Sequence, residues 1–191
     1  MDNLLNIVKG NIKNKTAVLE LGCGNGELIN AIAESIPHLK KVVAVDYFHK
    51  PEKLHSKVEF VQHDLENLNI QDGFDLVIMN QVFEHMKNPL GLMLEIKKIL
   101  NPFGRVLIVV PNRFGFNNEA RVYMPEHGKH YFLWDKESLE YSLNRIGFLC
   151  RFYNLYTAAS HNIFLKYIPT LLRLQNPNLT CVAMLDEEPK K

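Results

Sequence analysis

Val18-Leu19-Glu20-Leu21-Gly22-Cys23-Gly24-Asn25-Gly26-Glu27 runs from a short apolar stretch through three glycines into a helix-forming segment. The apolar stretch, Ala17 to Leu21, has the length of a strand. The segment after the turn, Glu27 to Ile36, carries Leu28, Ile29, Ile32, Ala33 and Ile36 at helical spacing. Glycines at 22, 24 and 26 remove the Cβ atoms that would keep a ligand away from main-chain N–H groups, and they permit positive φ in the turn. A strand, a glycine turn and a helix form the opening unit of a parallel sheet. Four further apolar runs repeat its first part: Val42 to Val45, Val58 to Val61, Leu76 to Met79 and Val106 to Val110. They are nearly continuous and rich in Val and Ile, as strands covered on both faces are.

Helices are therefore expected between the strands. Leu90 to Leu100 supplies one, broken by Asn101-Pro102 and Gly104, while Tyr47 to Lys57 has room only for a brief one. After Pro111 the pattern turns irregular over Asn112 to Trp134, which reads as a lid or substrate loop. Asp135 then caps a helix to about Arg145, stopped at Gly147. Phe148 to Tyr156 and Leu179 to Leu185 read as strands forming an antiparallel edge, joined by the apolar stretch Ser160 to Gln175.

Composition bounds the rest. A length of 191 residues suits one domain spanning 1–191, since separate cores become usual only beyond ~250 residues. Hydrophobic residues at 47% and charged residues at 23% exclude disorder and coiled coil. A net charge of +1 and no long basic run argue against a nucleic-acid partner. The cysteines Cys23, Cys150 and Cys181 form no CxxC pair, which argues against both a disulfide framework and a zinc site and fits a reducing cytoplasm. The polar start lacks a signal-peptide core, and no run is long enough to span a membrane, so peripheral membrane contact is the most that is expected.

The acidic residues narrow the ligand. Asp46 closes the second run twenty residues after Gly26, where a carboxylate accepts from ribose hydroxyls, which implies an adenosine-type ligand. Asp64 closes the third run on the same rim, and Glu20 precedes the turn. The turn reads G-x-G-x-G rather than the G-x-G-x-x-G of dinucleotide sites, and carboxylates there repel a pyrophosphate. They suit a ligand with an ammonium and a sulfonium. S-adenosylmethionine has both.

On these residues, with Val45-Asp46, Asp64-Leu65, Phe74-Asp75-Leu76-Val77, Phe83-Glu84-His85, Asn88-Pro89 and Leu100-Asn101-Pro102-Phe103-Gly104-Arg105, the chain resembles the class I S-adenosylmethionine-dependent methyltransferases. The similarity is to their small-molecule type, which includes the ubiquinone-pathway O-methyltransferases, and it is clear over Val18 to Asn112 and weak over Lys129 to Phe148. It implies a doubly wound, mostly parallel, seven-stranded Rossmann-like sheet with an antiparallel edge strand and helices on both faces. It implies that Gly22, Gly24 and Gly26, with Cys23, flank the methionine moiety. Asp46, with Tyr47 beside it, would hold the ribose; Asp64 and the Leu65 backbone would meet the adenine; Asn80 and Gln81 would line the reactive end. Glu20 would orient the loop or reach the ammonium through water.

Some relatives carry E-x-x-E-H with a divalent metal, but the first position here is Gln81, so no metal is expected. Methyl transfer is an in-line displacement that needs alignment above all, and a base only for some acceptors. His85, His127 or His130 would serve a hydroxyl. The expected function is methyl transfer from S-adenosylmethionine to a small-molecule, sugar or lipid-linked acceptor, on oxygen. The alternative is a noncatalytic binding or regulatory protein of the same fold, and a dehydrogenase ranks third.

Overall fold

Successive residues of the central strands point in turn to two apolar faces of one sheet, both of them covered. The computed structural model describes residues 2–12, 16–48, 50–115, 130–153 and 177–186. Its elements are α1 (Asp2–Asn11), β1 (Ala17–Leu21), α2 (Glu27–Ser35), β2 (Lys41–Asp46), β3 (Val58–Gln62), β4 (Phe74–Asn80), α3 (Pro89–Ile99), β5 (Leu100–Pro111), α4 (Lys136–Arg145), β6 (Phe148–Tyr153) and β7 (Asn178–Leu185). The strand order is β3-β2-β1-β4-β5-β7-β6. β1 to β5 pair in parallel, and β7 runs antiparallel to both of its neighbours, β5 and β6. The doubly wound sheet expected from the sequence is thus present, with the late strand pair on the β5 side.

Leu19, Leu21, Val43, Val45, Val77 and Ile108 pack against Leu92, Met93 and Ile96 of α3 and Leu139 and Leu143 of α4. The intervening residues Val18, Val42, Ala44, Leu76 and Ile78 face Leu4 and Val8 of α1 and Ile29 and Ile32 of α2. At the amino ends of the strands the Asp75 carboxylate accepts from the Ala17 N–H at 2.7 Å and from Asn101 Nδ2 at 2.9 Å. That fixes the relative offset of β1, β4 and β5, and so the level at which their carboxyl ends emerge.

Three local features differ from the sequence reading. The polar N-terminal stretch folds as α1, tied to the sheet where Arg105 donates to Asn11 Oδ1 at 2.7 Å. Among the described residues between β2 and β3 there is no helix. α3 ends at Ile99 as Asn101-Pro102 and Gly104 imply, but β5 begins directly at Leu100 rather than at Val106 and passes through Phe103 with φ 63. Residues 116–129 of the expected lid and the whole of 160–175 lie outside the described residues.

Candidate functional site

The carboxyl ends of β1, β2 and β4 form one rim, at the point where the strand order reverses between β1 and β4. The crevice at such a reversal is where open α/β sheets take their ligands. The glycine turn lies there, anchored where Gly22 N–H and Cys23 N–H both donate to the Val45 carbonyl, at 2.8 and 3.0 Å. Gly22 has φ 70, and a Cβ on it would run into the Val82 side chain beyond β4. Gly24 is different: φ is 52 and a Cβ there would meet nothing within 4 Å. One glycine closes the turn onto β4; the other faces open space.

Asp46 stands opposite that open space. Its Oδ2 accepts from Gly24 N–H at 2.9 Å and its Oδ1 from Phe48 N–H at 3.0 Å. Each oxygen retains a lone pair for a further donor. Tyr47 is exposed and meets Phe48 edge to face, with ring centroids 5.3 Å apart. Asp64, on the same rim, accepts from Glu66 N–H and from Asn67 Nδ2, both at 3.0 Å, and so shapes the turn that holds Leu65 buried. Asn80 ends β4 half-buried. Gln81 has φ 56 and donates from Nε2 to Asn178 Oδ1 at 3.3 Å, which turns its amide towards β7.

Glu20 sits just beneath the glycine turn, close enough to Asp46 and Cys23 to interact with both electrostatically. It lies on the α2 side of β1 and is 2% exposed. Burial pushes its carboxyl up to about 8; Asp46 adds to this, and a hydrogen bond from the Ile29 backbone opposes it. Near neutral pH Glu20 is therefore largely uncharged, and its place suits holding the loop against α2. Burial also pushes the Cys23 thiol up to about 12, with Glu20 and Asp46 contributing, which leaves it a packing residue.

Beyond Gln81 a short turn, Phe83–His85, faces the irregular segment 130–134. The Glu84 carbonyl accepts from Tyr131 N–H at 2.8 Å and from Phe132 N–H at 3.3 Å. Trp134 stacks on Phe83 and on Phe132, with centroids 5.3 and 5.4 Å apart. These contacts bring His130 onto His85, with ring centroids 4.6 Å apart and planes at 77°. Two of the three histidines expected to act as bases thus stand together; His127 lies outside the described residues. The sequence reading left Glu84 out of the site. Its carboxyl is buried, and that burial pushes it up to about 7. Glu84 was legible only as the partner of His85 in the incomplete E-x-x-E-H pattern, which gave it no role of its own.

A model of the methyltransferase domain matches residues 1–151. The chain belongs to the methyltransferase-domain family. This methyltransferase domain is 32% identical, over 52% of the chain, to 37% of a "probable S-adenosylmethionine-dependent methyltransferase" of Mycobacterium tuberculosis. It is 28% identical, over 50% of the chain, to 42% of the ubiquinone biosynthesis O-methyltransferase of Xylella fastidiosa. The chain thus spans about two fifths of the length of these curated relatives. The fold is shared with the plantazolicin methyltransferase BpumL in complex with SAH, at a TM-score of 0.69 and 17% identity, over 97% of this chain and 82% of that one. No helix among the described residues is long and apolar enough to cross a membrane.

Proposed function

We propose that the chain binds S-adenosylmethionine at the β1–β2–β4 rim and transfers its methyl group to an oxygen of a small-molecule, sugar or lipid-linked acceptor. The observation that carries this reading is the Asp46 carboxylate, which braces the Gly24 N–H beside open space while keeping acceptor capacity for a ribose. Asp64 and Leu65 would then meet the adenine, the turn from Gly22 to Gly26 the methionine moiety, and Asn80 and Gln81 the reactive end. The resemblance to an O-methyltransferase over half the chain supports oxygen as the methylated atom. His85 and His130, next to the end of β4, are suited to take a hydroxyl proton as the methyl arrives.

Isothermal titration with S-adenosylmethionine, its demethylated product and NAD tests the cofactor. Binding of the first two and none of NAD is expected. Asp46→Ala should weaken binding by about a hundredfold, as the loss of two hydrogen bonds to a charged group implies. Tight NAD binding with no response to the other two would overturn the assignment. Incubating a cell extract with labelled donor and following the label by mass spectrometry then identifies the acceptor.

A further inference from the structure

The two residues that follow Asp46 are an aromatic pair standing in solvent, Tyr47 at 59% exposure and Phe48 at 76%. Backbone at an exposed strand end moves unless something ties it down. Here it is tied from two sides. Asp46 Oδ1 accepts from the Phe48 N–H at 3.0 Å, while Gln62 Nε2 donates to the Tyr47 carbonyl at 3.1 Å and to the Phe48 carbonyl at 2.9 Å. Gln62 is the last residue of β3 and the register partner of Asp46 across the β2–β3 pair, which continues where His63 N–H donates to the Asp46 carbonyl at 3.0 Å. Strand pairing thus delivers a primary amide to a turn whose two successive carbonyls need donors. A carboxamide nitrogen carries two hydrogens, so this one side chain serves both.

We propose that Gln62 is a positioning residue for the nucleoside end of the cofactor, its amide locking the Tyr47–Phe48 turn beside Asp46. The inference rests on the S-adenosylmethionine reading above. Its physical basis is preorganisation: affinity falls when binding has to order a turn that the free protein leaves loose. Asp46 belongs to the same unit. One of its oxygens is engaged by the Phe48 N–H and the other by the Gly24 N–H, so a shift of the turn also shifts the carboxylate meant for the ribose. Gln62 need not touch the ligand to do this. The position calls for a neutral double donor. Glutamate has the same shape but no hydrogen to give when ionised, and it would set a second carboxylate beside Asp46 and against two carbonyls. Alanine would leave those carbonyls to water.

Calorimetric titration with S-adenosylhomocysteine, and separately with methylthioadenosine, which keeps the nucleoside and lacks the amino acid, tests this. Gln62→Ala should weaken both ligands by the same factor, about tenfold, as the loss of two hydrogen bonds implies. Gln62→Glu should weaken them by about a further threefold at about pH 8, and at about pH 5.5 it should recover to the level of Gln62→Ala or better, because protonation returns one donor. The titratable groups beside that position, Asp46 and His63, are present in every variant, so each affinity is compared with that of the unaltered chain at the same pH. A purely structural defect would lower Tm without this recovery. Lys98→Ala, on α3 and paired with Glu95, should leave both affinities unchanged. Thermal unfolding shows that each variant folds. Failure of the unaltered chain to bind S-adenosylhomocysteine would overturn the cofactor reading and this inference with it. Binding by the unaltered chain together with unchanged affinity in folded Gln62→Ala would overturn this inference alone. So would a loss for S-adenosylhomocysteine that methylthioadenosine does not share, or a Gln62→Glu variant that shows no recovery at low pH.

Discussion

Gly22 and Gly24 sit two positions apart in one turn, and their substitutions should fail differently. Gly22→Ala forces a side chain into φ 70 and against Val82, so a loss of about 2 kcal/mol is expected, seen as a fall in Tm of about 4–8 °C. Gly24→Ala meets no neighbour, so its cost is the left-handed backbone alone, about 1 kcal/mol, and its main effect should be on titrated cofactor affinity. Glu20 sets a pH dependence. The folded chain holds its proton up to about pH 8, while the unfolded chain releases it near the ordinary value of 4.5. Between those limits the unfolded state binds fewer protons, so this group's contribution to stability falls as pH rises. Glu20→Gln removes that effect. Its stability relative to the unaltered chain should improve from pH 5 to pH 8 by ~2–4 kcal/mol, measured by urea unfolding at each pH.

At the level of elements, α4 depends on a reciprocal cap. Asp135 Oδ1 accepts from Ser138 N–H at 2.8 Å, and Ser138 Oγ accepts from Asp135 N–H at 3.1 Å. Asp135→Ala should cost about 1 kcal/mol and lower Tm by ~2–4 °C. Asp135 as a cap and Gly147 as a stop, with φ 87, were legible because capping is written in adjacent residues. The strand runs were legible for a similar reason: burial on both faces leaves a continuous apolar signature. α1 was not, since of its residues only Leu4 and Val8 are fully buried, too few to outweigh a polar surface. That the described residues between β2 and β3 form no helix was hidden too, because the stretch is long enough for one. In the site, the glycine turn and Asp46 could be read from a fixed spacing along the chain. The meeting of Glu84 with His130 could not, because it depends on where a distant segment returns over β4.

For the molecule as a whole, the sheet grades from a sealed centre to open edges. β1 is buried along its full length and β4 nearly so, while β3 is only partly covered. Native-state hydrogen exchange should find β1, β4 and the second half of β5 slowest, with β3 and the outer side of β6 exchanging first. Uniform protection across all seven strands would contradict this gradient. The place of β7 matters for how the molecule is made. Its residues Cys181, Val182 and Ala183 are buried between β5 and β6, joining strands that precede it by many positions. A nascent chain that has emerged only as far as β6 therefore presents two apolar strands with unpaired edges, a state prone to association. Completion of the sheet has to wait until residue 185 has cleared the ribosome, and a chain lacking 178–185 should be recovered from cells as aggregate rather than as a smaller folded domain.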